Sequence, residues 1–306
     1  MSQQSQLRSF LTSRRARLTP PEVGLPWRDG RRVAGLRREE IALLAGVSVD
    51  YYTRLEQGRA GNVSDQVLTA VADALRLDGL ERRHLSDLVR AEAGRSGRRG
   101  PAAGAVVRAR PALHATLQAL DPVPALLYGP RLEVVGINRM GAVLFDDFDR
   151  KPPIERNLAR WVLLDPKARA VYPDWEEIAT QAVYILRVAH GRDARDPTLT
   201  ALVRELSARS EHFARHWGDH GVFEHTHGPK RVRHEAVGVM TLNYETLRPQ
   251  ADPGIRLTLY TAPPGSPAEE KLRRLAEWAR AAGTGAGREP SARAGRESAP
   301  GGAAPR

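Results

Sequence analysis

Up to about residue 93 the apolar positions recur at helical spacing and do not alternate. Leu7, Phe10, Leu11 and Leu18 line one helical face, Ile41, Leu44 and Ala45 a second, and Val67, Leu68, Val71, Ala72 and Leu75 a third whose N-cap is Ser64. A further helix from about Leu80 carries Leu85, Leu88 and Val89, so residues 1–93 read as a small all-helical domain of five short helices. Beyond residue 110 the period changes. Ala125 to Tyr128, the turn Gly129-Pro130 and Leu132 to Ile137 predict a β-hairpin. Helical stretches are expected over 155–164, 174–190 and 197–217, and strand-like runs over 221–226, 230–244 with a turn near Ala236-Val237, and 255–260. An amphipathic helix over 267–281 follows. Two strands, a block of helices and then antiparallel strands is an α+β order, which predicts a sheet with one face covered by helices and a ligand cleft between the layers.

Between these regions, residues 94–110 contain Gly94-Arg95-Ser96-Gly97-Arg98-Arg99-Gly100-Pro101 and read as an interdomain linker. The second domain is then 111–282. Residues 283–306, rich in Gly, Ala, Pro, Ser and Arg without apolar periodicity, read as a disordered tail.

Charge adds a partner. Across 306 residues, 47 Lys plus Arg face 36 Asp plus Glu, a formal charge of +11 that favours an anionic partner such as nucleic acid. Only four of the cations are Lys (151, 167, 230 and 271), a skew that a GC-rich genome explains as well as phosphate binding does. With no Cys, thiolate metal sites and Cys nucleophiles are excluded. The N-terminus carries no signal-peptide pattern and no stretch approaches a membrane span, so a cytoplasmic protein without membrane contact is expected.

The most specific pattern lies in residues 37–58, where two helical runs are separated by about three residues. Gly46 suits the left-handed conformation that ends the first helix, Ser48 can cap the second, and Val47 and Tyr52 are spaced as a hydrophobic staple across that cap. The result is a helix-turn-helix, a motif that puts its second helix into the major groove of double-stranded DNA.

Glu39, Ala42, Ala45-Gly46-Val47-Ser48 and Leu55-Glu56-x-Gly58 resemble the pattern of the XRE (Cro/C1-type) helix-turn-helix regulators. The resemblance implies a lambda-repressor-like domain in which Ser48, Val49, Asp50, Tyr51, Thr53 and Arg54 face DNA and Arg38 meets backbone phosphate. By base-edge chemistry Arg54 would pair with guanine, Asp50 accept from cytosine and Val49 pack on a thymine methyl. An exposed Asp or Arg on a helix also reads as solvated surface, and Asp50 as a favourable charge near a helix N-terminus. Arg15 and Glu56 resemble the ion pair that joins the first and third helices in that family. The chain departs from the family at residues 19–36, a longer connection whose Arg28, Arg31 and Arg32 read either as a basic wing over phosphate or as a solvated loop.

The second domain is similar to the ligand-binding domain of MmyB-like transcription regulators, a PAS-like fold. The similarity rests on Gly136-Ile137-Asn138-Arg139-Met140, Leu144-Phe145-Asp146-Asp147-Phe148, Arg156-Asn157-Leu158-Ala159-Arg160-Trp161, Tyr172-Pro173-Asp174-Trp175, Gly238 to Glu245 and Leu259-Tyr260-Thr261. It implies a multidomain regulator, acting as a homodimer on a near-palindromic site, whose operator affinity responds to a small amphipathic or fatty-acyl-like ligand. Trp161, Trp175, Tyr184, Phe213 and Trp217 are candidates for lining the ligand cleft, or are plain core. Asn157 and Arg160 are candidates for a carboxylate head group, or belong to a surface ion pair. Ligand occupancy is expected to act on the DNA-reading heads through residues 93–110. His212, His216 and His220 share one face only if their helix runs that far, and Gly218 argues that it stops, so no metal is expected. No nucleophile elbow, P-loop, dinucleotide fingerprint or zinc-protease motif is present, so neither an enzyme nor a cofactor is expected. The alternative is a second domain that mediates dimerisation or recruits a protein partner without a small ligand.

Overall fold

A computed structural model describes residues 3–27, 31, 33–92, 107–252 and 254–285. The N-terminal region is helical, as expected: α1 (Gln3–Arg17), α2 (Arg38–Leu44), α3 (Val49–Glu56), α4 (Asp65–Ala74) and α5 (Gly79–Glu92). Their inward faces, including Leu7, Phe10, Leu11, Ile41, Tyr52, Leu55, Val71 and Leu85, form one buried core. Gly46 has φ +65° and ends α2, with Val47 N–H donating back to Ala42 O (3.0 Å), while Ser48 Oγ accepts from Tyr51 N–H (3.1 Å) to start α3.

A buried carboxylate ties three of these helices together. Glu56, at the end of α3, has no exposed surface; its Oε1 accepts from Thr12 Oγ1 (2.7 Å) and Arg15 Nη2 (3.2 Å) of α1, and its Oε2 from Arg38 Nε (2.7 Å) of α2. Burial pushes the carboxyl up, but the bonds from Arg38 and Thr12 and the charges of Arg15 and Arg38 outweigh it and hold it below the usual carboxylate range. The described part of the connection from α1 to α2 is bonded to the helices at its end. Leu36 is buried and its N–H is shared between Arg15 O and Leu18 O. Arg31, read as part of either a basic wing or a solvated loop, instead pairs its buried side chain with Glu40, Nη2 to Oε2 2.9 Å, and also holds Gly35 O. Arg28 and Arg32 lie outside the described residues.

The second region comprises α6 (Pro111–Ala119), β1 (Ala125–Tyr128), β2 (Val134–Ile137), α7 (Arg139–Leu144), α8 (Leu158–Leu164), α9 (Pro166–Val171), α10 (Trp175–Arg192), α11 (Pro197–Arg209), α12 (Glu211–Trp217), β3 (His227–His234), β4 (Gly238–Leu247), β5 (Arg256–Thr261) and α13 (Pro267–Gly285). The strands form one antiparallel sheet in the order β2-β1-β5-β4-β3. Alternation sets its faces: Met240, Leu242 and Tyr244 of β4, Leu126 and Tyr128 of β1 and Tyr260 of β5 point into the core shared with the helices. The sheet is not covered on one face only. Ala125, Leu127 and Leu257 point the other way, onto Leu113 and Leu117 of α6, which is why all four residues of β1 are buried. Residues 107–110 already belong to this layer, with Val107 and Ala109 against it and Arg110 paired to Asp252 (2.8 Å).

Other expectations change in detail. Residues 221–226 form no strand; Gly221 lies against the Tyr184 ring and Val222 packs on the helical core of the first domain, so tertiary contact replaces strand pairing there. The single helix over 197–217 is two, because Ser210 leaves helical geometry (φ −132°, ψ 109°) to cap α12 through Phe213 N–H. The helix expected from 155 starts at Leu158, after a 3₁₀ turn at Pro153–Glu155. Residues 93–106 of the proposed linker and route of coupling, and 286–306 of the proposed tail, lie outside the described residues. No described helix is long and apolar enough to cross a membrane.

The two regions touch directly. α5 lies against the last turn of α10, where Gly191 leaves no room for a side chain: an added Cβ would sit 2.5 Å from His84 Cε1. Arg192 pairs with Asp87 (3.1 Å), Arg83 with Glu224 (3.1 Å), and Arg14 Nη2 donates to His220 O (2.8 Å).

Replacing Glu56 with Ala is expected to cost roughly 3 kcal/mol, the low end for breaking a buried ion pair because Arg15 and Arg38 keep some solvent contact. Thermal unfolding measures this. Because the folded carboxyl is held low, wild-type stability is lost as pH falls through that depressed range, and the variant loses correspondingly less.

Candidate functional site

The first candidate surface is the outer face of α3. Tyr52, Leu55 and Glu56 face inward, leaving Ser48, Val49, Asp50 and Arg54 exposed and Tyr51 and Thr53 half-buried on the other side. Val49 is 48 % exposed and presents an apolar contact surface in the first turn of the helix. Arg54 and Asp50 are neighbours one turn apart (Nε to Oδ2 3.4 Å), a loose exposed pair that leaves Arg54 donors free for another acceptor. Ser48 is occupied as a cap, which presents its position at the helix start without its full hydrogen-bonding capacity. Arg38 is partly taken by Glu56, yet its side chain remains 41 % exposed.

The second candidate is an apolar cavity of about 60 Å³ between the sheet and the helices. Leu126 and Tyr260 come from the sheet, Phe145 and Phe148 from the segment after α7, Trp161 from α8, and Ile178, Gln181, Ala182 and Ile185 from α10. Into this lining project two basic groups, His225 and Lys230. Lys230 Nζ lies 2.9 Å from His225 Nε2 and 4.6 Å from the centroid of Tyr244, while the His225 ring stacks on Tyr244 at 3.8 Å and its Nδ1 is 3.1 Å from Thr246 Oγ1. Burial pushes the Lys230 ammonium down to about 7, with Glu177 opposing, and burial together with the Lys230 charge holds His225 well below its ordinary value. No carboxylate pairs directly with Lys230 among the described residues; aromatic faces and an imidazole surround the cation, and Glu177 acts on it only from a distance. Such a site can receive an apolar body and an anionic group at the amine.

Of the seven residues expected to form a ligand site, the cavity gathers one, Trp161. Asn157 is a buried cap: Oδ1 accepts from Ala159 and Arg160 N–H, and Nδ2 donates to Arg131 O. Arg160 is held by Glu205 (2.6 Å). Trp175 donates from Nε1 to Val162 O and carries Arg169 on its ring face, and Phe213 is core, stacked on Trp217. Tyr184 covers Gly221, and Trp217 faces a different cavity, at the domain contact. The three histidines on which metal binding was weighed also part company. His212 and His216 stack on α12 at 4.2 Å, whereas His220 lies beyond the helix end against Arg187. Lys230 was legible in principle: it alternates with Val232 on β3, a register that turns both inward.

Residues 6–85 match the model of a helix-turn-helix domain, and residues 109–275 match that of the MmyB-like transcription regulator ligand binding domain. A search of the curated proteins finds no match to the chain. The exposed reading helix on a capped helix-turn-helix and the sheet-and-helix domain behind it are the parts those two models describe. The second of them spans more than half of the sequence, and the chain belongs to the MmyB-like transcription regulators.

Proposed function

We propose that this regulator binds a near-palindromic operator as a homodimer and that an amphipathic ligand with an apolar chain and an anionic head, of the fatty-acyl class, sets its operator affinity. The observation that carries the reading is that one helix serves both sites. α10 lines the apolar cavity with Ile178, Gln181, Ala182 and Ile185, and its last turn bears the DNA-binding domain at Gly191. A ligand that displaces α10 from the sheet side therefore moves the seat of α5, and operator affinity changes by the difference in ligand affinity between the two positions. At about 60 Å³ the cavity holds about two water-sized groups, so a longer chain enters only as Phe145, Phe148, Trp161 and Tyr172 swing aside. That small volume favours the second reading, in which the domain mediates dimerisation or recruits a protein partner and takes no small ligand.

On α3, Arg54→Ala is expected to cost about 1–3 kcal/mol on the preferred site and to relax one base position, measured by fluorescence anisotropy on a selected operator and on random DNA at matched salt. An equal loss on both DNAs would reassign Arg54 to phosphate contact.

Decanoate, titrated calorimetrically into the full-length protein, tests the cavity, with decanol as the uncharged control. Below about 7 the Lys230 ammonium is protonated in the free protein, while above it carboxylate binding must draw in a proton. Affinity for decanoate should therefore fall as pH rises through 7, decanol affinity should stay level, and Lys230→Met should abolish the pH dependence. Absence of binding by either compound would sink the ligand reading and leave the partner reading.

A further inference from the structure

A second cavity, of about 220 Å³, lies where the two domains meet, and its chemistry is opposite to that of the first. Gln6 and His84 reach it from the DNA-binding side, and Arg187, His190, Arg204 and His220 from the other. Among the described residues its lining includes no carboxylate. Arg187 is 5 % exposed, and two of its nitrogens, Nε and Nη2, have no hydrogen-bond partner among the described residues. Its third, Nη1, donates to His220 Nδ1 (2.9 Å), and Trp217 covers its face at 4.3 Å. The nearest acidic influences on it are Tyr184 and Asp219, neither of which reaches it as an ion pair among the described residues. Arg204, exposed on the same cavity, adds a second guanidinium. A buried cation without a counterion is costly, and a protein retains one where it meets an opposite charge.

The imidazoles fit the same picture. Because arginine can only donate, His220 Nδ1 accepts and its proton sits on Nε2; Gln6 turns its amide nitrogen toward His190 Nδ1, and in that orientation the His190 proton also sits on Nε2. Burial and the charges of Arg187 and Arg14 hold His220 down to about 4, and burial with Arg187, Arg14 and Arg192 holds His84 down to about 3. All of them sit in a positive field that an anion would neutralise.

We propose that this interdomain cavity is a binding site for a compact oxyanion of the phosphate or small polycarboxylate class, held by Arg187 and Arg204 and by the Nε2–H groups of His190 and His220. At about 220 Å³ there is room for about seven water-sized groups, enough for a phosphate with a short carbon skeleton. The site is complete only when both domains are in contact, since Gln6 positions His190 and Arg14 fixes the His220 backbone from the DNA-binding side. The inference stands apart from the acyl-chain reading and uses none of its residues.

The test uses full-length protein with ¹⁵N-labelled histidine, titrated with inorganic phosphate and separately with citrate at constant ionic strength kept by chloride. The nine histidines all lie outside α1 to α4, so imidazole signals do not report anions on the DNA-reading face. Saturable shifts of the His190 and His220 resonances are expected, with binding about tenfold to a hundredfold weaker in Arg187→Gln, as for loss of a charged hydrogen-bond donor. Arg204→Ala, an exposed change that does not touch the core, should weaken binding in the folded protein. A response to phosphate but not citrate, or the reverse, identifies which oxyanion fits. Unsaturable shifts, or shifts equal in wild type and both variants, would overturn the proposal and leave general counterion binding to a basic protein.

Discussion

The seat of α5 on the last turn of α10 is the contact on which the arrangement of this molecule depends. It closes only because residue 191 has no side chain, which lets the His84 ring lie over the α10 backbone. Exposed pairs flank it, Arg192 with Asp87 and Arg83 with Glu224, and these add direction more than strength. Interfaces within a chain of this polar kind ordinarily permit relative motion. Beside those pairs the contact also buries Arg187, with two nitrogens unpartnered among the described residues, and the imidazoles of His84 and His190.

Within the DNA-binding region the corresponding constraint is the buried Glu56 carboxylate. Two arginines and a threonine from two helices converge on it, so the angle between α3 and its neighbours is set by directional, charge-assisted bonds rather than by apolar packing alone. That fixes which face of α3 turns outward. Val49, Asp50 and Arg54 are exposed because Tyr52, Leu55 and Glu56 are held in.

The two cavities divide the chemistry of the second domain. One is aromatic and apolar with a single buried amine, stabilised by tyrosine faces, and the other is lined by guanidinium and imidazole. α10 borders both, one stretch facing the sheet and the following turn facing the first domain. The two linings therefore sit on adjacent turns of one continuous helix, Ile185 facing the first cavity and Arg187 the second.

The helix-turn-helix was readable from the chain because its determinants are local: a left-handed Gly46, a capping Ser48 and a 3.6-residue period that sets Tyr52 and Leu55 inward act within a few residues of one another. The hairpin, the turn between β3 and β4 and the α+β order were legible for the same reason. Residues 221–226 carry strand-like composition, but whether they pair was decided by Tyr184 and the first domain, far away in sequence. The second layer beneath the sheet was hidden because α6 covers only the β1 end, so β1 loses its alternation while β4 keeps it. For the ligand-site candidates, residue type did not distinguish a cap from a contact. Asn157 and Arg160 satisfy backbone and carboxylate neighbours, whereas Lys230, one of four lysines in the chain, is placed among tyrosines by strand register. Sequence determined the local elements and the outward face of the reading helix; only the tertiary structure decided which distant side chains share a cavity, because that depends on register and helix packing between segments that do not touch along the chain.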